Sequence, residues 1–205
     1  MARRPSTTAA RRALATSDPV LGRHMEKIGR YRIALDGISS IYQALAEAVV
    51  YQQLTGKAAA TIFGRVQALG GGALPPPAAL LALDDALLRG AGLSRAKTAA
   101  LKDLAAHAHD GRLPDLAETA ALDDDALVAR LTAVRGVGPW TVHMLMMFRL
   151  GRADVLPATD YGVRKGFQRV FRTRALPTPA QVLARGERWR PHRTMAAWYL
   201  WRALD

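Results

Sequence analysis

The chain has 205 residues, half of them apolar, and carries 29 Lys and Arg against 17 Asp and Glu, a formal charge of +12. It has no cysteine, which excludes disulfides, thiolate metal sites, iron–sulfur clusters and cysteine nucleophiles together. No apolar run approaches the roughly 18 residues that span a bilayer, so no membrane role is expected. The length suits one large domain or two small lobes sharing a core, stable as a monomer. Most of the basic residues are Arg, as a GC-rich coding sequence would favour. That bias explains Arg in place of Lys but not the excess of positive over negative charge, and the excess points to a polyanionic partner, nucleic acid first.

In chain order, residues 1–17 (MARRPSTTAARRALATS) hold four Arg and no acid and read as a flexible basic tail. Arg, Ser and Thr without acid also describe an organellar transit peptide, so a DNA-touching arm and a targeting segment both stay open. Beyond it apolar residues recur at three and four rather than two, which makes the class all-α. Asp18 and Pro19 open a helix running to about Lys27, as N-cap and first helical residue. A second helix spans 40–54, with Ile41, Leu45, Ala48 and Val49 on its inner face, and a third begins at Gly56. The Gly70–Gly72 and Pro75–Pro77 segment is the candidate crossover between two lobes with a cleft between them. A helix over 94–111 starts at a Ser cap, and one over 122–134 has acids in its first turn, where the helix dipole favours them. Further helices are expected at 139–150, about 161–171, 179–186 and 193–203.

The stretch AVRGVGPWTVHMLMMF, residues 133–148, sets Gly136, Val137 and Gly138 between two helices and Pro139 at the start of the second. That is a helix–hairpin–helix pattern over about 123–150. Glycine permits backbone angles closed to other residues, and proline pre-sets the next helix. The amides of 136–138 and of the second helix's first turn are expected to lack intrahelical partners, and so to suit a phosphate. Leu127, Leu131, Val134, Val142, Leu145 and Met146 would pack the two helices together. Many helices end on glycine as a simple C-cap, and these residues alone do not decide between the two roles. A second motif, DVLPATDYGVRKGFQRVF at 154–171, places Asp160 twenty residues beyond Trp140.

Together, LTAVRGVGPWTVHMLMMF and DVLPATDYGVRKG resemble the helix–hairpin–helix DNA glycosylases, and within them the bacterial and yeast 3-methyladenine DNA glycosylases. The resemblance runs from about Asp18 to the C-terminus and includes AVVYQQLTGKAAA, AGLSRAKTAALKDLA and ERWRPHRTMAAWYLW. The β-rich N-terminal domain of the Escherichia-type enzymes has no counterpart, so the short all-helical subgroup is the nearer match, with 18–205 as the glycosylase domain. The resemblance implies a base-excision-repair enzyme that flips an alkylated purine of the 3-methyladenine or 7-methylguanine type out of double-stranded DNA and hydrolyses its N-glycosidic bond.

By the same resemblance Asp160 is the catalytic carboxylate. A carboxylate near C1′ stabilises an oxocarbenium-like transition state and orients water. Asp160 would equally serve as a plain N-cap for the helix beginning at Tyr161. Alkylated purines carry positive charge, so one carboxylate suffices, and the base pocket should be aromatic, with cation–π attraction on the order of 1–2 kcal/mol per good contact. Trp140, Met144, Trp201 and Tyr161 match that pocket, Met144 standing where the Escherichia-type enzymes have tyrosine; both tryptophans would also serve as core aromatics. Gly136, Val137, Gly138, Thr141, Arg135, Arg164 and Lys165 are the implied DNA contacts, joined by Arg149 and Arg169. Gln53 is the implied wedge that fills the gap left by the flipped base. The backbone carbonyls of Thr132, Val134 and Val137 match those that hold a monovalent cation, Na+ or K+, in DNA-bound relatives.

Lyase-competent relatives carry a lysine nucleophile where this chain has Trp140, which implies a monofunctional hydrolase. No zinc site is expected: among His24, His107, His109, His143 and His192 only His107 and His109 are close in sequence, and two residues apart on a helix they point different ways. No other cofactor is implied. A bacterial cytoplasmic, nucleoid-associated location is expected. Two other readings stay open, a non-catalytic DNA-binding or damage-sensing module built on the same clamp, and a glycosylase for a neutral oxidised or deaminated base.

Overall fold

The computed structural model describes residues 6–205, and among these there is no strand. Ten helices lead through the hairpin: α1 (Thr7–Ser17), α2 (Pro19–Ile28), α3 (Ile41–Tyr51), α4 (Gly56–Ala68), α5 (Pro77–Ala82), α6 (Asp85–Gly90), α7 (Arg95–His109), α8 (Leu116–Ala121), α9 (Asp124–Thr132) and α10 (Pro139–Phe148). Three more complete the chain: α11 (Tyr161–Phe171), α12 (Pro179–Gly186) and, after a 3-10 turn at Glu187–Trp189, α13 (Arg193–Arg202). None is long and apolar enough to cross a membrane. The expected caps at Asp18, Ser94 and Asp160 are in place, and Ser40 and Asp123 cap their helices as well: each side chain accepts from a backbone N–H in the first turn.

The chain forms two compact units. Among the described residues the first joins 6–36 to Met146–Asp205, and the second is Gly37–Leu145. The expected crossover at 70–77 therefore lies inside the second unit. Its glycines end α4 by backbone bonds back onto Gln67 and Ala68, and Tyr42 Oη donates to the Pro75 carbonyl at 3.0 Å, tying the prolines to α3. Glycine and proline mark an interruption of helix, and the same residues serve a return turn as well as a crossover.

A second correction concerns the tail. From Thr7 it is a helix: Ser6 caps α1, Ala10 and Leu14 are buried, and Arg11 Nη2 donates to the Met25 carbonyl at 3.4 Å. The i, i+4 pair Ala10/Leu14 supplies the buried edge, a pattern masked by the surrounding Arg pairs. The part of the expected tail at residues 1–5 lies outside the described residues. The short helices α5, α6 and α8 are additions to the expected set, because six residues carry too little periodicity to register.

The first unit is knotted by a buried carboxylate. Asp18 is fully buried, and besides capping α2 it accepts from Arg185 Nε (2.8 Å), Arg185 Nη2 (2.9 Å) and Trp189 Nε1 (3.0 Å). Arg185 in turn lies 3.9 Å over the Phe171 ring. Burial pushes the Asp18 carboxyl up, but the bonds from Arg185, Trp189 and the Leu21 amide, with the charge of Arg185, outweigh it and hold the group below its ordinary value.

In the same unit α11 and α13 touch backbone to backbone. A Cβ at Gly166 would sit 1.9 Å from the Leu200 carbonyl oxygen, so only glycine lets the helices approach this closely. Val163 and Phe167 of α11 and Ala196, Ala197, Tyr199 and Leu200 of α13 are buried.

Because the Asp18 carboxyl is held below its ordinary value in the fold, its stabilisation is complete above the unfolded value near 3.8 and is lost as pH falls through the lower folded one. Asp18→Asn should destabilise the protein by about 3 kcal/mol at neutral pH, since it leaves Arg185 without its charge partner. Urea melts of both proteins between neutral pH and pH 3 should show the gap narrowing with acid; a constant gap would contradict this account.

Candidate active site

Asp160 closes the loop that leaves α10. The loop is laced to the start of α13: Arg193 donates to Asp154 Oδ1 from its backbone N–H (3.2 Å) and its Nε (2.8 Å), and Arg190 Nη1 donates to Asp154 Oδ2 at 2.8 Å. Thr194 Oγ1 accepts from the Val155 N–H at 3.0 Å and donates to the Arg152 carbonyl at 2.7 Å. Asp154 is therefore committed to holding the loop, and Asp160 is the carboxylate at its mouth.

Asp160 Oδ1 accepts from the Val163 N–H at 2.7 Å, the N-cap anticipated from sequence. The same oxygen accepts a second bond, also 2.7 Å, from Trp201 Nε1. Two donors from different helices fix the plane of the carboxylate and its side-chain torsion together. The indole is itself braced, stacking on Phe148 with ring centroids 5.8 Å apart. A Cβ at Gly162 would fall 2.9 Å from Trp201 Cδ1 and 3.1 Å from Asp160 Oδ1, so a side chain there would press between the partners. No sequence spacing relates residue 160 to 201, and the bond arises from the glycine-permitted approach of α11 and α13.

The other candidates of this unit divide. Tyr161 is 64% exposed at the first position of α11. Arg164 Nε donates to the Pro177 carbonyl at 2.7 Å and Lys165 Nζ to Gln168 Oε1 at 3.1 Å, so both expected phosphate contacts are engaged within the protein.

In the second unit the hairpin folds as expected. Leu127, Leu131, Val134, Val142 and Leu145 are buried, and Gly136 adopts φ +78°, a left-handed conformation suited to glycine. One expectation is corrected: the Val137 N–H donates to the Val134 carbonyl at 3.1 Å, so the amides of 136–138 are not uniformly open. A turn this tight closes on itself. Its outside is held by α7 and α3, with the Arg135 N–H donating to Asp103 Oδ2 at 2.8 Å and Gln52 Nε2 donating to the Gly136 carbonyl at 3.0 Å. Thr132 Oγ1 donates back into its own helix, to the Val128 carbonyl at 2.8 Å. On α10, Trp140 is 47% exposed, Met144 half-buried, and Thr141 buried.

Gln53 is exposed at the turn after α3 with φ +58°, one of two non-glycine residues in the left-handed region among those described. That conformation costs on the order of 1–3 kcal/mol and persists only where neighbours impose it. Leu54, next in the chain, is exposed. Lys97 Nζ donates to the carbonyls of Val50 and Gln52, both at 2.7 Å, and burial pushes its ammonium below the ordinary lysine value. Neither Lys97 nor Gln52 is marked by the sequence. Among the described residues no group of three or more His, Asp or Glu side chains is placed to hold a metal ion.

The family model described as HhH-GPD superfamily base excision DNA repair protein matches residues 46–191, which hold the hairpin, Gln53, Lys97 and Asp160. The DNA-3-methyladenine glycosylase 1 of Schizosaccharomyces pombe is 40% identical over 162 residues, covering 78% of this chain and 71% of that protein. A solved structure of the 3-methyladenine DNA glycosylase of that yeast, in complex with abasic DNA, superposes with a TM-score of 0.80 at 36% identity and 95% coverage of both chains. A DNA-3-methyladenine glycosidase from Bacillus halodurans superposes with a TM-score of 0.85 at 34% identity, covering 95% of this chain and 88% of that one. With a model spanning most of the chain and relatives at this identity, the chain belongs to the HhH-GPD superfamily of base excision DNA repair proteins.

Proposed function

We propose that this protein is a DNA-3-methyladenine glycosylase, which flips an alkylated purine out of duplex DNA and hydrolyses its N-glycosidic bond. The observation that carries the reading is the Asp160 carboxylate, held at the N-terminus of α11 by the Val163 amide and the Trp201 indole. Breaking the bond leaves positive charge on the sugar. An oriented carboxylate meets that charge without reorganising and directs water to C1′. Trp201 acts here as a positioning residue through its N–H. Cationic 3- and 7-alkylated purines are the preferred bases, because they leave without protonation by a second acid and are attracted to aromatic faces. Trp140 and Tyr161, both exposed, and Met144, polarisable and half-buried, are proposed to contact the base.

DNA binding is supported by the charge of +12 and by the related yeast enzyme's complex with abasic DNA. The hairpin is proposed to grip a phosphate through the amides at Gly136 and Gly138, with Arg135 exposed beside them, and Gln53 is proposed to enter the stack. The carbonyls of Thr132, Val134 and Val137 are neutral oxygen donors of the kind a monovalent cation takes. That of Val134 already accepts from the Val137 amide, leaving its second lone pair to such an ion. A cation there would add positive charge beside the phosphate.

The enzyme is proposed to be monofunctional, since Trp140 stands where a lyase requires an amine and Lys165 is bonded to Gln168. Methylated duplex DNA incubated with the protein should release free 3-methyladenine or 7-methylguanine and leave abasic sites uncut until alkali is added. Asp160→Asn should lower release by at least about a hundredfold, the scale of losing a main electrostatic stabiliser. Equal release by wild type and variant, or strand cleavage without alkali, would refute the assignment. Trp201→Phe keeps an aromatic ring and removes the N–H; it should lower the single-turnover rate about tenfold while leaving affinity for abasic-analogue DNA unchanged. A wild-type rate for this variant would contradict the positioning role.

A further inference from the structure

We propose that one stripe of α7, formed by Lys97, Ala100 and Asp103, is a positioning element that holds the left-handed Gln53 turn and the glycine turn of the hairpin at a set spacing. Residues three apart share a helix face, and Lys97 to Asp103 spans about 9 Å of axis at 1.5 Å per residue. At one end Lys97 Nζ donates to the Val50 and Gln52 carbonyls, the last that α3 leaves open before Gln53 turns left-handed. At the other end Asp103 Oδ2 accepts from the Arg135 N–H. Between them Ala100 lies against the hairpin: a Cβ at Gly136 would be 3.0 Å from Ala100 Cβ, so the turn seats directly on the helix. Gln52 Nε2 then joins the two turns, bonding the Gly136 carbonyl at 3.0 Å.

These contacts hold a strained residue: Gln53 is the third residue of a tight turn closed by the Leu54 N–H on the Tyr51 carbonyl at 3.3 Å, with Gln52 at φ −53° and ψ 131°, a position that favours glycine. Gln53 has no side-chain bond to its own backbone to favour φ +58°, whereas the carbonyls before it are pinned from outside by an ammonium that burial has taken partly out of water. A lysine spent on two carbonyls acts on DNA through the turn it shapes rather than as a phosphate contact. The consequence for base flipping rests on the glycosylase reading: the wedge and the phosphate grip must act on the same stretch of duplex, and α7 sets the distance between them.

An internal control sits on the same helix. Lys102 Nζ likewise donates to two carbonyls, those of Leu81 and Leu83, at the end of α5 and away from both turns. The full-length chain carrying Lys97→Met, Lys97→Arg or Lys102→Met should be compared with wild type in three measurements. These are single-turnover release of 7-methylguanine from duplex DNA, 2-aminopurine fluorescence beside a tetrahydrofuran abasic analogue, and the salt dependence of affinity for that duplex. Lys97→Met should reduce both the fluorescence change and the rate about tenfold with the salt slope unaltered. Lys97→Arg should recover most of the loss, and Lys102→Met should behave as wild type. The proposal is overturned if Lys97→Met matches wild type, if Lys102→Met loses as much, or if the salt slope of Lys97→Met falls by about one, the mark of a lost phosphate contact. Should wild type release no alkylated base, the glycosylase reading fails, and the fluorescence measurement on the abasic analogue still decides the role of Lys97.

Discussion

The chemistry proposed for this protein depends on how closely two helices approach. Gly166 lets α11 lie against the backbone of α13, and Gly162, one turn nearer the start of α11, leaves room for the Trp201 indole beside Asp160. The two glycines are four apart and so share one face of α11. Without that approach Asp160 would be an N-cap like several others here. With it, one oxygen is held by donors from two helices at 2.7 Å each, and a flexible surface carboxylate becomes an oriented one. The capping role and the proposed catalytic role, alternatives when only the sequence is considered, are compatible in one side chain.

The two units apply the same economy to different ends. In the first, Asp18 takes Arg185 and the Trp189 indole, which knits α2 to the segment around Trp189, and Asp154 takes Arg190 and Arg193, which binds the loop before Asp160 to the start of α13. In the second, a lysine and an aspartate on one face of α7 hold two turns. The electrostatic groups within the fold thus serve position, and the surplus of basic residues over acidic ones remains for the polyanion. This explains why Arg164 and Lys165, basic and close to Asp160 in sequence, turn out to be engaged internally.

Much of this was legible in the amino-acid sequence. Apart from α1, the helices of eight residues or more announce themselves by period or cap, and the paired motifs around Gly136 and Asp160 carry the family. What was not legible has physical reasons. The six-residue helices α5, α6 and α8 are too short for a period, and the buried edge of α1 is two residues wide. Gly70–Pro77 reads as a boundary because the residues of a return turn and of a crossover are the same. The Trp201 bond to Asp160 and the Lys97 bonds to the end of α3 join residues 41 and about 46 positions apart, set by packing that no local pattern encodes. Gln53 is the clearest case, since the turn from Tyr51 to Leu54 sets a glutamine where glycine is favoured, and the lysine that bonds the carbonyls around it comes from another helix.

The central claim is that a glycine-permitted contact orients the carboxylate proposed to be catalytic. Its most direct test is the single-turnover rate of 7-methylguanine release by Gly162→Ala, measured beside its affinity for abasic-analogue DNA. The added Cβ would fall 2.9 Å from Trp201 and 3.1 Å from Asp160 Oδ1, separating the partners while leaving both side chains in place. The account predicts a rate at least about tenfold lower with affinity within twofold of wild type, since about 1.4 kcal/mol of lost orientation corresponds to a factor of ten. A variant that excises at the wild-type rate would contradict it.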